Sequence, residues 1–179
     1  MAKQVSTTYG EALFELAVEE DQIDAFYEEA KGLYDVFIRD QDLNLFLGHP
    51  KVLKEDKTAM IQKVFTGRVH EQLVGFLTII IKKDRQKDIP AILEYFIKRV
   101  KDHKKIGVAN VTSAITLSDA KKQQIEARLL ETTDYNSMEV HYEVDASLIG
   151  GLVIRIEDRV VDSSIRNQLF MMRQSLMKA

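Results

Sequence analysis

The chain has 179 residues, 45% of them apolar and 30% charged, with a net charge of −3. A chain of this length buries about 70% of the surface its unfolded form exposes, so it supports a core without staples, and its composition excludes low-complexity disorder. It contains no cysteine, which removes disulfides, thiolate nucleophiles and cysteine-ligated metals together.

The opening Met1-Ala2-Lys3-Gln4 has no apolar core of the signal-peptide kind. Ser6-Thr7-Thr8 supplies N-cap chemistry for a first helix, on which Tyr9, Ala12, Leu13, Leu16 and Ala17 recur at intervals of three and four. A second helix is predicted from Asp21 or Gln22, with a stripe running from Ile23 through Phe26, Ala30 and Leu33 to Phe37. A short third covers Leu43 to Leu47 and stops at Gly48-His49-Pro50, because proline cannot continue a helix. The fourth spans about Lys54 to Phe65, with Met60, Ile61, Val64 and Phe65 inward.

The fifth helix, from about Val69 to Lys83, is apolar nearly all round. Such a helix is central in a bundle or offers a second apolar face to a partner. Its longest apolar run, around Thr78–Ile81, is far short of the roughly 20 residues that span a bilayer. The sixth starts near Asp88 with Pro90 in its first turn and carries Ile92, Leu93, Phe96 and Val100. Six helices with short links predict a helical bundle over 1–105.

Lys101 to Lys105 reads as a basic linker, and the pattern then changes. Val108 to Ile115 is strand-like; Leu117-Ser118-Asp119 caps a seventh helix with Ile125, Leu129 and Leu130. Met138, Val140, Tyr142 and Val144 alternate with polar residues, as do Leu152, Ile154 and Ile156. Asp158-Arg159 turns the chain into Val160-Val161, and Ser163 or Ser164 caps a last helix with Ile165, Leu169, Met172 and Leu176 in a four-three-four pattern. The bland reading of that stripe is core packing against the sheet. The fold class is therefore mainly α: an N-terminal six-helix bundle followed by a small α/β domain over 106–179.

Catalytic chemistry is hard to find. There is no phosphate-cradling glycine loop and no G-x-S-x-G elbow, and His49, His70, His103 and His141 stand isolated from one another. Acidic runs such as Glu19-Glu20-Asp21 read as solvated helix faces. Two basic clusters, Lys82 to Lys87 and Lys98 to Lys105, read as cations at helix C-termini; the sharper alternative is an RNA- or lipid-facing patch. Residues 106–179 hold 8 basic and 10 acidic side chains and the first 105 hold 17 and 18, so neither part has the basic excess that nucleic acid demands. No catalytic residue, metal or cofactor is expected.

Val144-Asp145-Ala146-Ser147-Leu148-Ile149-Gly150-Gly151, then Ile154-Arg155-Ile156, then Val161-Asp162-Ser163-Ser164-Ile165-Arg166-Asn167-Gln168-Leu169, resembles the C-terminal signature of the ATP synthase delta subunit family. This family includes the mitochondrial oligomycin-sensitivity conferring protein. Tyr9 to Phe14, Leu47-Gly48-His49-Pro50 with Lys57, Arg85 and Val111 to Ala114 resemble further family motifs, so the likeness runs along the whole chain. Three departures are visible: Gly10 stands where the family has Ala, Glu157 where Gly is common before Asp158, and Ser163 where Gly is common before Ser164.

The resemblance implies a non-catalytic stator subunit of the proton-translocating F-type ATP synthase, peripheral on the cytoplasmic face of a bacterial membrane without inserting into it. In the family the bundle holds the N-terminal helix of an alpha subunit against the first and fifth helices. By residue match that implies Tyr9, Ala12, Leu13, Phe76, Ile79, Ile80 and Lys83. The C-terminal region holds the C-termini of the b subunits, which points to Ile165, Leu169 and Met172 as stalk contacts. A helical RNA-binding or antitermination-type module using the basic clusters is the alternative from another class, and an enzyme is a third.

Overall fold

A computed structural model describes residues 2–178, with side-chain exposure assigned for residues 4–177; Met1 of the opening tetrapeptide lies outside the described residues. Six helices come first: α1 (Ala2–Glu19), α2 (Ile23–Arg39), α3 (Gln41–Gly48), α4 (Lys54–Phe65), α5 (Glu71–Lys82) and α6 (Ile89–Lys104). A single 3-10 turn, Gln86–Asp88, leads into α6. Then follow β1 (Ile106–Ser113), α7 (Asp119–Thr132), β2 (Ser137–Val144), β3 (Leu152–Ile156), β4 (Arg159–Asp162) and α8 (Ile165–Lys178). The chain divides into two compact units, one ending at Val100 and the other beginning at Lys101.

Several boundaries differ from the pattern-based expectation. α1 begins well before Ser6-Thr7-Thr8, and the Thr8 hydroxyl bonds back to the Gln4 carbonyl (2.9 Å) inside the helix rather than capping it. The stretch 101–104 is the last turn of α6, not a linker. Two helices stop at a left-handed aspartate in place of glycine. Asp21 (φ 53) ends α1: its N–H reaches the Val18 carbonyl, and the Gln22 N–H reaches that of Ala17. Asp84 (φ 58) ends α5 with the same pair of bonds, to Ile81 and from Arg85 to Ile80. This is the Schellman arrangement, with aspartate accepting the left-handed conformation that glycine usually takes.

The first unit buries Leu13, Phe26, Phe37, Ile61, Leu77 and Phe96 in one continuous core. α1 and α6 meet closely at Gly10: a β-carbon there would collide with the Tyr95 ring and come within 3.3 Å of the Ile92 carbonyl oxygen. The departure from alanine thus has a packing reason. Beside it, the Tyr95 hydroxyl and the Arg99 guanidinium both donate to Glu11 (3.2 and 3.1 Å), and Arg99 lies over the Phe14 ring. Glu29 on α2 fixes the start of α5, accepting the His70 N–H (2.8 Å) and lying 2.6 Å from its Nδ1. Lys54 at the start of α4 pairs with Asp84 at the α5 stop.

In the second unit the sheet order is β2-β1-β3-β4; β1 and β2 are parallel, and the other pairs are antiparallel. A parallel pair requires a crossover, which α7 supplies. The Tyr142 hydroxyl donates to α7 at Lys122 O or Glu126 Oε1 (both 3.2 Å). Register places Val111 and Ile154 beside Tyr142 on that covered face. The opposite face carries the exposed Asn110, His141 and Arg155. One helix on one face of a four-stranded sheet is a two-layer α/β unit.

Candidate partner-binding surfaces

α5 sorts its residues cleanly. Leu73, Val74, Leu77, Thr78, Ile80 and Ile81 face the core, while Gly75 and Ile79 are exposed and Phe76 is half-buried. Ile79 is 52% exposed. Residues 72, 75, 76, 79 and 83 follow helical spacing on the outer side, so α5 carries a second, partly apolar stripe. Tyr9 on α1 is half-buried and sets its ring edge-to-face against Phe76, with centroids 6.4 Å apart. Ala12, one turn on, is exposed. Tyr9, Ala12, Phe76, Ile79 and Lys83 therefore lie on outward faces of two adjacent helices.

Leu13 and Ile80 do not join them. Both are 0% exposed, so a partner lying on this surface cannot touch them, and their place is the floor beneath it. The residue match carries Leu13 along with Ala12 and Ile80 along with Ile79, but one residue rotates a side chain by about 100° around the helix, so the two of each pair face different ways. Gly75 is the residue that pattern reading overlooks. Outside its chain neighbours and the backbone of its own helix, no atom lies within 4 Å of the position its β-carbon would take, so packing within the bundle does not require a glycine. Gly32 on α2 is equally open, and nothing in the structure explains it.

The second unit carries its apolar surface differently. Ile165, Leu169 and Met172 are not core: they are 41%, 53% and 63% exposed, and Leu176 is more exposed still. The core-packing reading fails because, among the described residues, every member of the α8 stripe beyond the first turn stays more than half exposed. That turn is well anchored. The Ser164 hydroxyl, fully buried, accepts the Asn167 N–H (3.2 Å), which identifies Ser164 as the N-cap. The Ile165 N–H donates to the Gly150 carbonyl (3.0 Å), and the Ser163 N–H and hydroxyl both donate to that of Leu152 (2.9 Å each). Gly151 (φ +78) passes directly under the Ser163 carbonyl, where a β-carbon would collide.

Hydrogen bonding from Ser164 holds the Asp162 carboxyl below its ordinary value, and Ser147 does the same for Asp145. Burial, with the Glu126 carboxylate adding to it, pushes the Tyr142 phenol up to about 12. The β3–β4 turn manages without glycine by placing Glu157 at φ 50, and its carboxylate accepts the Tyr135 hydroxyl (2.8 Å). Between α7 and the end of β1 the cover is incomplete. A cavity of about 620 Å³ opens there, lined by Ile115, Leu117, Ile125, Ile149 and Leu152 with Lys121 and Arg128.

The two basic clusters sit where the helix dipole favours them, at the ends of α5 and α6. Several of their members are engaged: Arg85 with Asp88 (3.7 Å) and Lys101 with Glu139 (2.6 Å). Among the described residues no group of three or more His, Asp or Glu side chains is arranged to hold a metal.

A family model described as the ATP synthase delta (OSCP) subunit matches residues 5–176. The ATP synthase subunit delta of Lachnoclostridium phytofermentans is 51% identical over 178 residues, covering 99% of this chain and 98% of that protein. The counterpart in Halothermothrix orenii is 34% identical, covering 98% and 91%. A chain of the Toxoplasma gondii mitochondrial ATP synthase hexamer shares the fold, with a TM-score of 0.71 at 16% identity over 96% of this chain and 97% of that one. A match this long and this similar is decisive: the chain belongs to the ATP synthase delta (OSCP) subunit family.

Proposed function

We propose that this chain, a delta-family component of the F-type ATP synthase stator, ties the catalytic head to the peripheral stalk and so resists rotor torque. The bundle receives the N-terminal helix of an alpha subunit along α1 and α5. The C-terminal unit receives the C-termini of the b subunits on α8 and the adjoining groove. The observation that carries this reading is that, among the described residues, each compact unit leaves a partly apolar helix surface uncovered. Uncovered apolar faces of that kind mark protein docking sites. The chain itself transfers no group. It is held peripherally at the cytoplasmic face of the membrane through its partners; among the described residues no helix is long and apolar enough to cross a bilayer.

The test uses the full chain and two baits, a peptide from the N-terminus of the alpha subunit and a segment from the C-terminus of the b subunit. Ala12→Asp places a charge on the α1–α5 surface, and Leu169→Asp places one on α8. Each variant should lose one bait and keep the other. Ala12→Asp retaining the alpha peptide at full affinity removes the first assignment; Leu169→Asp retaining the b segment removes the second.

A further inference from the structure

We infer that the segment docking on α8 is an amphipathic helix whose apolar stripe is bordered by acidic side chains. The inference rests on the proposal that α8 contributes to stalk binding, and it specifies the chemistry of the partner. All three charged residues of α8, Arg166, Arg173 and Lys178, are basic. The rest of the unit, 101–164, holds 8 basic and 11 acidic side chains, so α8 is a basic helix on an otherwise acidic unit.

Their placement is regular. Ile165, Leu169, Met172 and Leu176 follow the four-three-four spacing of a coiled-coil seam. Arg166 and Arg173 are one heptad apart and fall on the same edge of that seam, the position where interhelical ion pairs set partner and orientation. Gln168 and Ser175 occupy the other edge without charge. The two arginines differ in their surroundings. Arg166 donates to the Ser147 hydroxyl (2.9 Å) and lies near Asp145 and Asp162, whose carboxyls it helps to hold down. Arg173 has no hydrogen bond or ion pair among the described residues. Phe170 and Met177, exposed beyond the arginines, would shield a partner carboxylate paired with Arg173 from solvent, which strengthens such a pair. A heptad-spaced seam calls for a helix, and an otherwise acidic unit is repelled by an anionic bilayer.

Full-length chain is titrated with two synthetic four-heptad peptides that share one leucine seam and carry either Glu or Lys at every border position. The C-terminal segment of b and phosphatidylglycerol vesicles form separate arms. The Glu-bordered peptide should bind about tenfold more tightly at low salt, with the preference shrinking as salt screens the pairs. Arg173→Glu should abolish or invert the preference, and Gln174→Glu, on the far side of the helix, should leave it in place. Equal binding of the two peptides overturns the inference; if the b segment still binds, the stalk reading survives it. Binding of the Glu-bordered peptide with no binding of the b segment upholds the inference and sinks the stalk reading. Retention by the vesicles with neither peptide bound overturns the inference in favour of a lipid surface.

Discussion

Gly75→Ala should make the protein more stable and less able to bind. The position is interior to α5, exposed, and open for 4 Å around the added methyl group. Nothing inside the bundle resists alanine there. The exchange recovers the helix propensity that glycine forfeits, about 0.8–1 kcal/mol. For a unit ending at Val100, that corresponds to a rise in melting temperature of about 4–8 °C. The same methyl stands on the outer stripe between Phe76 and Ile79. A partner helix packed against glycine would be pushed outward, and overpacking of a fitted interface costs about 1–3 kcal/mol, or about tenfold in affinity toward the lower part of that range. Calorimetry of the isolated chain and titration with the alpha N-terminal peptide read the two effects separately. A lower melting temperature would mean that the space around Gly75 is not open. A higher one with unchanged affinity would mean that the partner lies elsewhere.

Gly151→Ala should destabilise the second unit by about 3 kcal/mol, combining left-handed backbone strain of about 1–2 kcal/mol with a backbone collision against Ser163; hydrogen exchange should show β3, β4 and the start of α8 losing protection together, and protection equal to the parent would contradict this. Glu29→Ala removes the carboxylate that receives the His70 N–H and ring nitrogen, and should cost about 1–2 kcal/mol with faster exchange at the first amides of α5. Asp162, held below its ordinary value of 3.8, contributes stability that is complete above that value and is lost as pH falls through its lower folded value. The stability difference between the parent and Asp162→Asn should therefore be full at pH 7 and shrink below about pH 4. A difference that grows on acidification would refute that sign.

Much of the helical plan is legible in the sequence because its signals are local. α4 falls on Lys54–Phe65 as its pattern places it, and α3 ends at Gly48, just before His49-Pro50. The stops at Asp21 and Asp84 are less visible, since aspartate adopts the left-handed conformation only where the following N–H finds its carbonyl. The basic run 101–104 continues α6 because charged side chains neither break a helix nor oppose its C-terminal dipole.

Periodicity shows that Ile165, Leu169, Met172 and Leu176 share a face, but not whether this chain or another covers it. Family likeness has a related limit: it carries over Leu13 with Ala12 and Ile80 with Ile79, and only the packing shows which of each pair is buried. Gly75 escapes pattern reading altogether, because its significance lies in the empty space around it.

In the proposed function one chain holds head and stalk at the same time. This is tested most directly by fixing the alpha N-terminal peptide to a surface, adding the chain, and measuring retention of a labelled C-terminal segment of b. The account predicts that the labelled segment stays on the surface only when the chain is present, in one-to-one proportion to it, and is released by either Ala12→Asp or Leu169→Asp. If the alpha peptide and the b segment displace each other from the chain, or if the segment is retained without the chain, the account is contradicted.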